Sequence, residues 1–506
     1  MNIKEAKQYI EDSISMYLKK DEDGEYRIPV VRQRPIFLLG APGIGKTAIM
    51  EQIASDLNIA LVSYSMTHHT RQSALGLPFI SHKEFEGMEY DVSEYTMSEI
   101  IASIYDVMNN SGIKEGILFL DEINCVSETL APSMLQFLQY KIFGKHKVPE
   151  GWIIVTAGNP PEYNKSVRDF DVVTLDRMKI LEVEADYSVW KEYAKNKELH
   201  PAIISFLDIN KDYFYSVETT VKGKNYITAR GWEDLSEMIK LYEESNLSVK
   251  QTLVEQYLRN EKVVREFSAF YDIYKKYQAT YNVKEILNGN IPDELIQRGS
   301  KAPLDERLSI MGMLVDEILH SIKENIAYAD ILKDVLGPLK AIKTDAENDI
   351  SIIDFIDKLN NIYEARVNNL KKLESSGSLS SKDKKHNKQV IKFLERCVNI
   401  SNTNNYNNSK ECFKNIKILY DEVNAKYKED TLLVKDKLHN AFVFVERVFG
   451  DGNEMLILMT ELTVIDECVI FITRYGSEDY KQHNKEMMLS NKSEELLKRI
   501  NDIEGI

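Results

Sequence analysis

Eight consecutive residues, Gly40-Ala41-Pro42-Gly43-Ile44-Gly45-Lys46-Thr47, combine three glycines, a lysine and a hydroxyl. They follow the apolar run IFLL (36–39) and precede AIMEQIASDL, which opens at Ala48. The pattern is GxxxxGK[ST] between a strand and a helix, the context in which a loop wraps a polyphosphate. Glycines let the backbone close around phosphate oxygens, and the N–H groups at the helix start direct their positive dipole end at the anion. Lys46 is placed to reach the β and γ phosphates of a bound nucleotide, and the Thr47 hydroxyl to ligate Mg²⁺. A Gly-rich turn that merely precedes a helix is the plain alternative, and the complete motif in its context outweighs it.

Such a loop needs a carboxylate from elsewhere in the sheet to organise the metal, and ILFLDEIN (117–124) supplies one. Four apolar residues bury a strand and leave Asp121 and Glu122 at its C-terminal end, where ligands bind in open α/β sheets. Asp121 then suits Mg²⁺ coordination, and Glu122 suits the general base that deprotonates the attacking water. Acidic pairs after strands also serve as helix caps, so the pair gains weight from the phosphate loop beside it. A further strand ends in TAGNP (156–160), placing the Asn159 amide where it can hold the lytic water or the γ-phosphate. An Asn-Pro turn explains Asn159 equally well on local grounds.

The elements that position these residues are five short apolar runs: IFLL (36–39), IALVSY (59–64), ILFL (117–120), WIIVTA (152–157) and KILEVE (179–184). Helix-like segments separate them, the signature of a parallel sheet with crossover helices. The expected fold is α/β: a P-loop core around a central parallel five-stranded sheet over residues 1–190, a helical segment over 191–290, and a mainly α-helical region over 291–506. Thirteen of 22 glycines and nine of 12 prolines lie in the first 240 residues, and none of the prolines lies beyond 338. The polar segments ESSGSLSSKDKKHNK (374–388) and NISNTNNYNNSK (399–410) read as a flexible connector and an Asn-rich loop.

Composition narrows the function classes. With 64 Lys+Arg against 80 Asp+Glu, the formal net charge is −16, which argues against a general nucleic-acid binder. Residues 371–420 are the exception, with 11 basic against 4 acidic side chains, and a solvated helix face explains them best. Cys125, Cys397, Cys412 and Cys468 lie far apart, without the spacing of a zinc site or a disulfide framework. The N-terminus MNIKEAKQYIEDSISM lacks an apolar leader core. The apolar stretch 455–475 is broken by Glu461, Asp466 and Glu467, costly at a bilayer centre. No membrane insertion and a cytoplasmic location are expected.

Together with TLDR (174–177) and TARGWEDL (228–235), these motifs resemble AAA+ ATPases, most closely the MoxR-type group, over about residues 30–290. The resemblance implies a Mg²⁺-dependent ATPase that assembles as a ring, with a hexamer the expected size, and remodels a protein partner. It further implies that the 191–290 segment is a lid. It assigns Arg177 as an arginine finger acting in a neighbouring subunit's site, with Arg168 the rival, and Arg230 as the sensor-2 arginine of the lid. Met178 stands where the group usually has Phe. It also marks two insertions, an acidic one at 76–97, read as a helix interrupted by an insert, and a presensor β-hairpin around Gly144-Lys145. For this group the implied partner is a separate protein carrying a von Willebrand factor A domain. His68, His69 and Arg71 follow a strand end and read as a polar loop, because adjacent histidines cannot both face one metal from a regular element. A nucleotide-gated scaffold acting through the helical half, and a nucleic-acid-directed motor similar to restriction-type GTPases, are the competing functions.

Overall fold

The computed structural model describes residues 1–68, 74, 76–143, 145–163, 167, 170–220, 223–348, 350–403 and 406–487. The chain divides into two units, residues 1–186 with 365–387, and residues 187–364 with 388–506.

In chain order the strands of the first unit are β1 (Ile36–Gly40), β2 (Ala60–Ser65), β3 (Pro78–Phe85), β4 (Met88–Tyr95), β5 (Gly116–Asp121), β6 (Ile142–Phe143), β7 (His146–Lys147), β8 (Trp152–Gly158) and β9 (Lys179–Val183). Five of them form one parallel sheet in the order β2-β5-β8-β1-β9. These are the five apolar runs. The inner strands β1, β5 and β8 read as continuous apolar stretches because a parallel sheet covered on both faces alternates nothing with water, and every residue of β8 is buried, whereas the edge strands β2 and β9 include exposed residues. Helix Ala48–Asp56 follows the β1 loop, and Glu99–Ser111 enters β5 with Ser98 capping the Ile101 N–H at 3.2 Å. Met178, the departure from the usual Phe, is 5% exposed and packs into the core with Phe37, Leu118 and Phe137.

Both insertions contain a β-hairpin. The insert centred on 76–97 is an antiparallel hairpin of β3 and β4 ahead of helix Glu99–Ser111, and residues 69–73 and 75, between β2 and the hairpin, lie outside the described residues. The second insertion does form a hairpin, β6 with β7, and Gly144 at its tip lies outside the described residues.

The segment read as a flexible connector is ordered against the sheet. Helix Ile352–Ser375 ends in a turn before helix Ser381–Thr403 begins, with Ser376 and Ser378 buried. Ser376 C=O accepts from the Leu61 N–H at 2.9 Å, giving edge strand β2 a partner on its open side. Gly377 has φ +70°, and a Cβ there would stand 2.6 Å from Leu61 C=O. Asp383 Oδ2 accepts from the Ser55 hydroxyl at 3.3 Å. A Ser-Gly-Ser composition suits a linker and also a close approach to backbone, and here it makes the approach.

The second unit is mainly helical, with an added hairpin of β10 (Ser216–Thr220) and β11 (Gly223–Ile227) that helical periodicity did not announce. Its long helices are Leu304–Glu347 and Ser409–Phe449, joined through the buried Asn325 amide donating to Thr431 at 3.0 Å. A separate apolar cluster gathers Leu339, Phe355, Leu394, Cys397 and Ile416. No helix among the described residues is long and apolar enough to cross a membrane.

Candidate nucleotide site

The sheet order sets β1, β8 and β5 side by side, so the residues at their C-terminal ends converge. The loop leaving β1 turns twice through positive φ, at Gly43 (75°) and Gly45 (98°), a conformation that L side chains resist. Ile44 between them is buried, anchoring the loop. Thr47 stands at the helix N-cap position and Ala48 is the first helical residue.

Lys46 is 8% exposed. An ammonium buried so far requires acceptors, and Nζ donates to Gly40 C=O at 2.7 Å, Ala41 C=O at 2.8 Å and Asn159 Oδ1 at 2.9 Å. The P-loop cation and the amide at the end of β8 are therefore in direct contact. Asn159 is itself braced, since Asn124 Nδ2 donates to its carbonyl at 2.8 Å. Gly158 makes room for that brace: a Cβ there would lie 2.5 Å from Asn124 Oδ1.

On β5, Asp121 Oδ2 accepts from the Thr47 hydroxyl at 2.9 Å and Oδ1 from the Glu122 N–H at 2.9 Å. Thr47 and Asp121 thus bring two hard oxygen donors together, the kind Mg²⁺ takes in pairs while phosphate and water complete its shell. Glu122 has φ 56°, a costly left-handed conformation for a side chain with a Cβ. Its Oε2 accepts from the Ser65 hydroxyl at 3.1 Å and the Thr67 hydroxyl at 3.0 Å. Ser65 ends β2, on the side of β5 opposite β8, so the carboxylate is drawn away from Lys46 and Asn159. Burial pushes the nearby Cys125 thiol up, assisted by the Glu122 and Asp121 charges, which keeps it protonated and unreactive.

The sequence reading found neither Ser65, Thr67 nor Asn124. The available signal was their place: polar residues at the ends of strands flanking the acidic pair.

Among the remaining candidates, Arg177 has its hydrogen bond outside this cluster. Arg177 is exposed after the short helix Val172–Leu175, and its Nη1 donates to Gln139 Oε1. Asp171 caps that helix through the Thr174 N–H at 2.8 Å, and bonds from Thr174 together with the Arg177 charge hold its carboxyl below the usual range. Arg230 is exposed in the first turn of helix Ala229–Glu244 and belongs to the second unit. Arg168, His69 and Arg71 lie outside the described residues, as does the side chain of His68.

With a buried lysine, a Thr–Asp pair and an acidic strand end assembled around one loop, the comparison with known families becomes specific. Residues 36–173 match the ATPase family associated with various cellular activities (AAA). That match covers a little over a quarter of the chain and supports an ATP-hydrolysing activity of the AAA+ kind, in a family that generally binds ATP with Mg²⁺ and usually oligomerises. The AAA segment runs from the start of β1 to the beginning of helix Val172–Leu175, so it contains the phosphate loop, the acidic pair and Asn159. No curated protein matches the chain. A solved structure of NtrX from Brucella abortus aligns at 14% identity over 40% of this chain and 45% of that one, with a TM-score of 0.22, too low to carry an argument.

Proposed function

We propose that this chain is a ring-forming, MoxR-like AAA+ ATPase that converts Mg²⁺-dependent ATP hydrolysis into conformational remodelling of a protein partner. The observation that carries the reading is the contact of Lys46 with Asn159 beside the Thr47–Asp121 pair. One cation and one amide meet where the terminal phosphate belongs, and two oxygen donors stand where its metal belongs. Mg²⁺, when bound, would be held by Thr47 and Asp121 and would neutralise charge on the β and γ oxygens.

The residues of this chain then divide the work. Gly40, Ala41, Pro42, Gly43, Ile44, Gly45 and Ala48 shape the backbone cradle, while Lys46 exchanges its loop carbonyls for phosphate oxygens. Glu122 accepts the proton of the attacking water, and Asn159 holds that water or the γ-phosphate. Arg177 is surface-exposed beside the core, as suits a cation offered to a neighbouring subunit's nucleotide. Arg230 reports the nucleotide from the lid. The partner is taken to be a separate protein carrying a von Willebrand factor A domain, a role that rests on the motif resemblance alone.

Glu122→Gln tests the reading. The variant should bind ATP as the parent does and lose turnover by roughly 10²-fold or more, the usual worth of a positioned base. Particle mass should rise to that of a ring with ATP and Mg²⁺. Turnover equal to the parent's would remove the hydrolytic role of Glu122, and a monomer under all nucleotide conditions would remove the ring.

A further inference from the structure

The second unit holds a cavity of about 410 Å³ lined by helices Tyr187–Asn196, Pro201–Ile209, Leu304–Glu347 and Asn453–Val464. Ile204, Met311, Val315 and Leu319 form apolar walls, and the exposed Leu456 and Thr460 stand at the rim. Apolar walls with a few polar groups are the usual make-up of a small-molecule site of this size. Gly312, inside the longest of these helices, lets two walls approach, since a Cβ there would stand 2.5 Å from Ser205 Oγ.

The charges on the lining differ in how they are met. Lys191 lies 2.8 Å from Asp208 and 3.2 Å from Glu461, Lys195 pairs with Glu461, and the Tyr187 hydroxyl donates to Asp208 at 2.8 Å. Two cations and two carboxylates thus close a network among themselves. Lys211 is exposed to water. Asp316 has neither arrangement. Among the described residues no hydrogen bond or ion pair engages its carboxylate, and burial pushes that carboxyl up to about 6.

The imidazoles that face Asp316, His200 and His320, are directed to other groups. His200 Nδ1 accepts from the Ala202 N–H at 3.2 Å, and its Nε2 meets Glu243 at 3.3 Å. His320 lies 3.6 Å from Glu198 and 3.7 Å from Glu324. The Lys323 ammonium donates to Lys195 C=O at 2.6 Å. A carboxylate taken out of water without a cation is costly, and a ligand that brings the cation recovers that cost.

Volume and charge together name the occupant. A cavity of about 150 Å³ holds one benzene, so this one takes a molecule of roughly ten to fifteen non-hydrogen atoms. We propose that the cavity binds a small primary ammonium ion with an apolar body. The ammonium donates to Asp316, and the body packs on Ile204, Met311, Val315 and Leu319. A small carboxylate would meet Asp316 with like charge, and the two lysines that could attract it are already paired. No residue of the candidate nucleotide site takes part, so the proposal stands or falls independently of the ATPase reading.

The test titrates the full-length protein by calorimetry with three molecules that share one body: 4-phenylbutylammonium, 4-phenylbutanol and 4-phenylbutyrate. The ammonium should bind. The alcohol should bind roughly ten-fold or more weakly, the worth of one charge-assisted hydrogen bond, and the carboxylate should not bind. Asp316→Asn keeps the shape of the side chain and removes its charge. It should fold with an equal or higher thermal midpoint, lose roughly ten-fold or more of the ammonium affinity, and leave the alcohol affinity unchanged. Thr460→Trp fills the rim from an exposed position and should weaken both ligands without lowering the thermal midpoint. Equal ammonium affinity in the parent and in Asp316→Asn overturns the proposal. Tighter binding of the carboxylate also overturns it, and would assign the cavity to anions through Lys191 and Lys195. Failure of all three molecules to bind the parent at millimolar concentration overturns it as well.

Discussion

Glu122 Oε2 accepts from the Ser65 hydroxyl at 3.1 Å across the β5–β2 boundary, with Thr67 adding a second bond at 3.0 Å. Both donors lie on the side of β5 away from Lys46 and Asn159, so the carboxylate is restrained off the phosphate side. Replacing both hydroxyls, S65A/T67A, should free it. Basal ATP turnover is expected to rise roughly five-fold, the rate equivalent of about 1 kcal/mol, with KM for ATP unchanged. Steady-state kinetics decide the sign: a fall in kcat would mean that the two hydroxyls orient the base instead of restraining it.

The contact between Lys46 and Asn159 makes a separable prediction. Lys46→Ala removes the cation that the loop is built around and should abolish ATP binding, measured by titration with a fluorescent analogue. Asn159→Ala leaves the cation and its two carbonyl partners, so ATP should still bind while turnover falls by roughly 10²-fold. Equal damage to binding in both variants would show that the amide serves the loop and not the reacting phosphate.

Legibility in the sequence follows burial. The five central strands could be read because each carries a short apolar run, unbroken in β1, β5 and β8, and the phosphate loop because its glycines, lysine and threonine lie within eight residues. Asp121 could be placed for the same reason, at the end of such a run. Ser65 and Asn124 act only through neighbours brought alongside by the strand order β2-β5-β8, which no local pattern contains. The β3–β4 ribbon was hidden for the opposite reason: with Phe85, Tyr90 and Met88 exposed, its alternation does not sort apolar from polar residues cleanly. The Ser376-Gly377-Ser378 turn has a linker's composition, and its role depends on where Leu61 happens to lie.

That turn yields a stability prediction. Gly377 combines φ +70° with the 2.6 Å approach to Leu61 C=O, so Gly377→Val meets both backbone strain and a clash with an atom that cannot rotate away. A loss of about 2–4 kcal/mol is expected, read as a lower urea midpoint. The Leu61 amide, protected by Ser376 C=O, should exchange faster with deuterium in the variant. Unchanged unfolding and unchanged exchange would mean that the turn does not hold the edge of β2.

Lys141 ends helix Ala131–Tyr140 with φ 56°, is 3% exposed, and has Gln33 Oε1 at 3.3 Å as an acceptor. Burial lowers its pKa from 10.5 to about 8. Below pH 8 both folded and unfolded chains hold the proton, and the folded state bears the full cost of a buried ammonium. Between about 8 and 10.5 the unfolded chain binds more protons than the folded one, so this group makes stability rise with pH through that window. The shift corresponds to about 3 kcal/mol. Lys141→Met keeps the length and the backbone conformation without the charge, so it should stabilise the protein by up to that amount below pH 8. The gain over the parent should shrink towards zero as pH approaches 10.5. Urea unfolding of both proteins across this range is the measurement; parallel pH profiles would show that the Lys141 ammonium is satisfied where it lies and that its burial carries no penalty.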